Sequence, residues 1–299
     1  MASRRAQRTA VSTAVLRALE HYVAPGQRLF DDPFARPLCG PLLSTLLSLF
    51  AVRPLREWAF RRSERRAPGA VGLLLCRFAY LDDVLREALA DGVRSVVILG
   101  AGLDSRAYRV PGAAAARVFE VDHPSVVQVK KTRLQRHLGT LPSHVRFVAV
   151  DFETLDLATA LAASGFDPAQ RTLFLWEGVS QYVTRTALDD TLRFVGGSAP
   201  GSRLAFSYVL QRFIDDRSAF PELSDLWDSV CTGDDPLWKS GLHPVDVAGV
   251  LSGFSLRICE EVGASQHVAR YLEPRGRGLH VCEIERIVLA EVQSPPAST

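Results

Sequence analysis

The sequence predicts an α/β fold: a mostly parallel seven-stranded sheet with helices on both faces, its last strand antiparallel, preceded by an N-terminal helical cap. Three observations predict it. From Val93 onward, short apolar runs bounded by turns alternate with stretches at helical spacing, the pattern of strand-helix-strand crossovers. The two closing strands follow one another with no helix read between them, and a short link cannot make a parallel crossover. The 90 or so residues before the first strand are helical and too apolar to be a linker.

Residues 1 to about 10 read as disordered, being small and basic without periodicity. Val15, Leu16 and Leu19 then recur at helical spacing from Ser12 to about Tyr22, with Ser12 or Thr13 as the N-cap. Phe30-Asp31-Asp32-Pro33 turns the chain into a second helix near 35–48. Arg53 to Arg66 interleaves charge with Trp58 and Phe60 and reads as a solvated amphipathic helix rather than a nucleic-acid stripe. Gly72 to Ala90 is helical, with Leu81, Val84, Leu85, Ala88 and Leu89 on one face. Strands are expected at 94–100, 117–121, 145–150, 172–176, 203–210, 255–262 and 279–290. Helices are expected from Pro124 to about His137, and near 155–164, 185–195 and 245–252. Residues 211–243 read as an irregular insertion, and the tail 294–299 as disordered. The domain reading is therefore a cap over 1–90 and a sheet domain over 91–293 that carries the insertion.

Composition narrows the function classes. The apolar fraction of 47% and charged fraction of 23% are ordinary for a globular chain. A net charge of +2 gives no bulk attraction to nucleic acid or an anionic membrane, so neither is expected as a partner. The apolar run Leu42 to Val52 is too short and too polar to span a bilayer. The basic N-terminus lacks the apolar core of a signal peptide. Cys39, Cys76, Cys231, Cys259 and Cys282 are scattered without a CxxC pair. Reduced thiols in a cytoplasmic protein, with no metal centre, are the expectation.

Ligands of such sheets bind outside the carboxyl ends of the strands. Those ends carry Gly100-Ala101-Gly102, then Glu120 and Asp122, then Asp151, then Glu177. The acid about 20 residues beyond the glycines matches the spacing that holds a ribose in doubly wound sheets. A dinucleotide fingerprint would place a third glycine where Ser105 stands, and Asp104 beside it would repel a pyrophosphate. S-adenosylmethionine, which has a ribose and a sulfonium but no phosphate, suits this loop better. An NAD-dependent oxidoreductase is the alternative.

The segments ILGAGLDSRAYR, FEVDHP and WEGVSQYVT, in this order and spacing, resemble the leucine carboxyl methyltransferase family and its bacterial TcmP-like branch of O-methyltransferases from polyketide biosynthesis. STAVLRALE, DDPFARPL, CRFAYLDD and HVCEIERIVLA extend the resemblance over nearly the whole chain. It implies a class I methyltransferase, Rossmann-like, with a helical cap. It also implies that Arg77 holds the cofactor carboxylate, that Gly100 and Gly102 form the loop under its methionine end, and that Asp122 takes the ribose hydroxyls. Asp151 and Phe152 would lie at the adenine, and Glu177 near the methionine amine. Alternatives stay open at several positions. Arg77 could instead pair with Asp82 or Asp83 on its own helix, and Glu120 is either a second ribose contact or a strand-end charge. Asp104, Arg106 and Arg109 read as ion pairs that fix the loop, and Trp176 as core.

The implied reaction is methyl transfer to a carboxylate, phenol or hydroxyl of a small molecule or of a peptide C-terminus. A carboxylate is ionised at neutral pH and needs no base, whereas a phenol would benefit from one. No catalytic residue is committed; Tyr182, Tyr208 and His243 are the candidates, the two tyrosines reading equally as core of the cap and His243 as a surface residue, and Arg28 and Arg61 of the cap could hold an acidic acceptor. A cofactor-binding protein without catalysis is the reading that the missing base motivates.

Overall fold

Seven strands pair into one sheet in the order β3-β2-β1-β4-β5-β7-β6 in the computed structural model, which describes residues 2–151 and 157–294. They are β1 (Ser95–Leu99), β2 (Arg117–Asp122), β3 (Val145–Ala149), β4 (Thr172–Trp176), β5 (Arg203–Val209), β6 (Leu256–Val262) and β7 (Glu285–Val292). The first five pair in parallel, and β7 runs antiparallel to both β5 and β6. The last strand is thus antiparallel, as expected, and it is inserted between its two neighbours.

The helices before the sheet are α1 (Ala2–Glu20), α2 (Ala35–Leu38), α3 (Pro41–Leu47), α4 (Arg53–Arg66) and α5 (Ala70–Ala90). Among the strands lie α6 (Arg106–Arg109), α7 (Pro124–Leu138), α8 (Leu157–Ala163), α9 (Arg185–Gly196), α10 (Gln211–Asp215), α11 (Ser224–Val230), α12 (Pro244–Ser252) and α13 (Ala264–His267). Every residue of β1 and β4 is buried, because the sheet is covered on both faces. The pleat sorts their side chains. Val96, Ile98, Leu173 and Leu175 join α5 in one core, while Val97, Leu99, Phe174 and Trp176 join α8, α9 and α12 in the other. Trp176 is core, as read. A third cluster packs α1 and α2 against Leu103 and Leu134.

Four elements differ from the sequence reading. The first helix reaches back to Ala2, because Ala, Arg and Gln favour helix even where apolar periodicity is missing. The helix expected over 35–48 is broken at Gly40, whose φ of 91° lies in the left-handed region just before Pro41. The last strand begins at Glu285 instead of 279, because the preceding residues run against α5, where the Cys282 amide donates to the Gly69 carbonyl. The link between β6 and β7 holds α13 and a following π-helical turn, Val268–Leu272, where no helix was read.

That turn buries His267 to 1% exposure, with no hydrogen-bond partner for either ring nitrogen among the described residues. Tyr80 and Tyr271 pack at 6.2 and 6.3 Å. Burial, reinforced by Arg270 and Arg77 and opposed by Glu260, pushes the imidazole down to about 4. Unfolded histidine titrates near 6.5, so the unfolded chain binds the extra proton between the two values and the fold loses stability as pH falls through that window. Replacing His267 with Phe removes this term. Between pH 7 and 5 the wild type should lose about 2 kcal/mol more than the variant, read from urea unfolding midpoints. Equal losses would show that His267 is hydrated.

Candidate functional site

The loop after β1 is shaped by Gly100. Its φ is 66°, and a Cβ there would stand 2.3 Å from Cγ2 of Val179. Glycine is therefore required both by backbone conformation and by the close approach of the segment after β4. Asp122, at the end of β2, clamps the loop: Oδ2 accepts from the Gly102 amide and Oδ1 from the His123 amide, each at 2.6 Å. Burial pushes its carboxyl up while the two amides pull it back. Each oxygen keeps a lone pair for a further donor such as a hydroxyl.

Beneath the loop lies a network of buried ions. Arg77, on α5, donates from Nε to Glu177 at 3.0 Å and from Nη1 to both oxygens of Glu285 at 2.8 Å. The alternative pairing with Asp82 or Asp83 on its own helix is not made. Among the described residues its Nη2 has no hydrogen-bond partner. Arg106 bonds Glu177 at 2.6 Å, Asp82 at 2.9 Å, and Asp104. Arg109 reaches Asp82 at 2.6 and 2.7 Å, and Arg17 reaches Asp32 at 2.8 Å. The reading of Asp104, Arg106 and Arg109 as loop-fixing ion pairs matches this geometry. Burial alone would raise the Glu177 carboxyl, but Arg106 and Arg77 hold it below the ordinary range. Glu285 has one arginine against the same burial and the Glu177 charge, and its carboxyl is pushed up.

Above the network opens a cavity of about 1030 Å³ at the carboxyl ends of the strands. Arg77, Gly100, Gly102, Asp122, Asp151 and Glu177, six of the eight residues expected to bind cofactor, all line it. α1, α4, α5 and residues 226–239 of the insertion close it over. Seven carboxylates and three basic side chains line it, an excess of four negative charges.

The other expectations fare differently. Phe152 lies outside the described residues. Glu120 is corrected from a cofactor contact to an internal ion pair. It sits two residues deeper in β2 than Asp122, is 1% exposed, and its carboxylate meets Lys130 of α7 at 2.8 Å. Tyr208 is corrected as a catalytic candidate. Ser207, its neighbour in β5, accepts from the Gly178 amide at 2.9 Å on the cavity side, so the pleat turns Tyr208 to the opposite face. There its hydroxyl donates to Glu261 at 2.6 Å. His243 is exposed at the start of α12 and does not line the cavity. Tyr182 does line it. Arg28 is spent on Asp31 and on the carbonyls of His21 and Val23, and Arg61 is exposed; neither lines the cavity. Glu285 was missed. Its only signal was a charge beginning an apolar strand, Ile287 to Ala290.

A family model described as leucine carboxyl methyltransferase matches residues 10–196. A protein of Frankia alni, provisionally named an S-adenosyl-L-methionine-dependent methyltransferase, is 37% identical over 78% of this chain and 80% of its own length. One from Mycobacterium avium with the same provisional name is 35% identical over 66% of this chain, and the match spans 64% of that relative. A crystal structure from Thermobifida fusca, of a provisionally named methyltransferase, covers 94% of each chain at 16% identity and a TM-score of 0.54, which shows the shared fold.

Proposed function

The chain belongs to the leucine carboxyl methyltransferase family, and on that premise we propose that it binds S-adenosylmethionine in the cavity and transfers the methyl group to an oxygen of a small molecule or peptide C-terminus. The observation that carries this reading is the excess of four negative charges around a Gly-shaped loop. A sulfonium bears a fixed positive charge, and a dinucleotide pyrophosphate would meet repulsion in the same place. The residues fit the group. Arg77 offers Nη2 to the methionine carboxylate, Glu177 an acceptor to its amine, and Asp122 its spare lone pairs to the ribose hydroxyls. Asp151 lines the cavity at the end of β3, where the adenine would lie.

S-adenosylmethionine supplies, when bound, an electrophilic methyl group. The protein's part is to align the acceptor oxygen and exclude water, which is positioning work. Of the three candidates for a base, Tyr208 and His243 stand outside the cavity, while Tyr182 lines it together with His123; a carboxylate acceptor would need neither. A carboxylate acceptor is ionised at neutral pH, so the protein would need to hold and orient it but not take a proton from it. Leu16, Phe60, Leu74, Leu226 and Trp238 on the covering walls support a bulky apolar acid of the natural-product kind. Calorimetry should show binding of S-adenosylmethionine and not of NAD, and labelled cofactor should methylate members of a panel of apolar acids ahead of the matching phenols. Binding of NAD alone would overturn the reading, and binding without turnover on any acid or phenol would favour a non-catalytic protein.

A mutation tests the ribose assignment. Asp122→Ala removes a charged acceptor, worth about 1.5–3 kcal/mol, or roughly 10–150-fold in dissociation constant. An unchanged constant, measured by the same calorimetry, would mean that the ribose is held elsewhere.

A further inference from the structure

The net charge of +2 conceals two opposed regions. α4 carries six arginines and two glutamates, a net +4, while residues 211–239 carry seven acids and three basic residues, a net −4. α4 also adjoins most of the exposed apolar surface. Of seven large apolar side chains that stand exposed among the described residues, five fall between positions 42 and 58: Leu42, Leu46, Leu49, Val52 and Trp58, between 49% and 77% exposed. Leu42 and Leu46 are one turn apart on α3, and Leu49 and Val52 continue through the turn that leads into α4. Arg62 lies over the Trp58 ring at 5.7 Å, and Arg61, Arg62, Arg65 and Arg66 are all exposed. Apolar side chains with a tryptophan, bordered by arginines, form the composition of a helix that lies in a lipid–water interface.

We propose that the α3–α4 face docks on an anionic lipid surface, its leucines and Trp58 entering the acyl boundary and its arginines meeting the head groups. A second copy of the chain is a poorer occupant. A symmetric pair across this face would set the arginines of one α4 against those of the other. The acidic region 211–239 could match the charge but holds none of the seven exposed apolar side chains, the remaining two being Leu138 and Val245. No helix among the described residues is long and apolar enough to cross a membrane, so the contact would be peripheral. Residues Ala59, Phe60 and Ser63 of the same α4, and Ala67 just after it, line the cavity, which places the docking face at the cavity wall.

The test is flotation of the full chain with vesicles of phosphatidylcholine alone and of phosphatidylcholine with one third phosphatidylglycerol. Binding is expected to the anionic vesicles only and to fall steeply with salt, since the arginine contribution is electrostatic. Arg62→Glu combined with Arg65→Glu should weaken it at least tenfold. Leu46→Ser combined with Trp58→Ser should weaken it as well, and more so in high salt. None of these four lines the cavity, so S-adenosylmethionine binding and unfolding midpoint serve as controls for the fold. Absence of binding to anionic vesicles, equal binding to neutral ones, or retention of binding by both double variants would overturn the proposal. So would self-association in sedimentation velocity that either pair abolishes, which would assign the face to a second copy.

Discussion

Arg106→Leu is expected to destabilise the fold by about 3–5 kcal/mol, enough to consume much of the stability of an ordinary domain. Arg106 is 2% exposed, and its guanidinium joins Asp82, Asp104 and Glu177. Burial would lower its pKa, but the three carboxylates hold it well above the usual arginine value. Its loss falls unevenly on the partners. Asp82 keeps Arg109, and Glu177 keeps Arg77. Asp104 loses its direct ion pair. Burial alone would raise that carboxyl; Arg106, ahead of Lys130 and Arg17, holds it below the ordinary range. Without Arg106 the Asp104 pKa should climb above its unfolded value. The unfolded chain then binds fewer protons than the fold, so the deficit is greatest at neutral pH and shrinks as pH falls toward 4. Urea unfolding at pH 7 and 5 checks both size and sign. Asp104→Asn added to Arg106→Leu should recover part of the loss and flatten the pH dependence. A deficit independent of pH would mean that the cost is packing around a missing side chain and not an abandoned charge.

The contrast between Asp122 and Arg106 explains what could be read from the chain alone. Asp122 is marked by position: it ends a strand, follows a glycine loop at a ribose-binding spacing, and makes its contacts within that local frame. The strand ends share this property, which is why Gly100, Gly102, Asp122, Asp151 and Glu177 meet in one cavity; Arg77 joins them from α5. Arg77 and Glu285 are 208 residues apart, and Arg77 and Glu177 are 100 apart. Nothing local pairs them, and a sequence reader finds nearer acids at Asp82 and Asp83. Glu120 and Tyr208 fail for a different reason. Glu120 was read at the binding edge and Tyr208 as a substrate contact or a core residue, but the first lies a full pleat below that edge and the second faces away from it. A one-residue ambiguity in facing is invisible where both faces of the sheet are buried, since apolar alternation no longer marks inside from outside. The helix over 2–10 and the turn at 268–272 were missed because periodicity was the main signal, and neither has a clean apolar stripe.

Gly100→Ala should cost about 2–5 kcal/mol, the sum of a left-handed conformation imposed on a side chain and of overpacking against a neighbour. The two parts can be separated. The φ of 66° penalises any Cβ, whereas the steric part comes from the Val179 side chain, with Cγ2 at 2.3 Å, Cγ1 at 3.1 Å and Cβ at 3.2 Å. Val179→Ala in the Gly100→Ala background removes the two γ contacts, keeps the milder one to Cβ, and leaves the backbone cost. The double variant should therefore be more stable than the sum of the single losses predicts, by about 1–3 kcal/mol in a thermal unfolding cycle. Val179 also lines the cavity, so the side chain displaced by the new methyl has little room to retreat except into the ligand space. Gly100→Ala is thus expected to weaken S-adenosylmethionine binding at least tenfold, and Val179→Ala to restore most of it. Additive losses in stability with no restoration of binding would show that the glycine is required for its backbone conformation alone. Coupled stability and restored binding would make the contact between the loops after β1 and β4 the feature that sets the cofactor's depth.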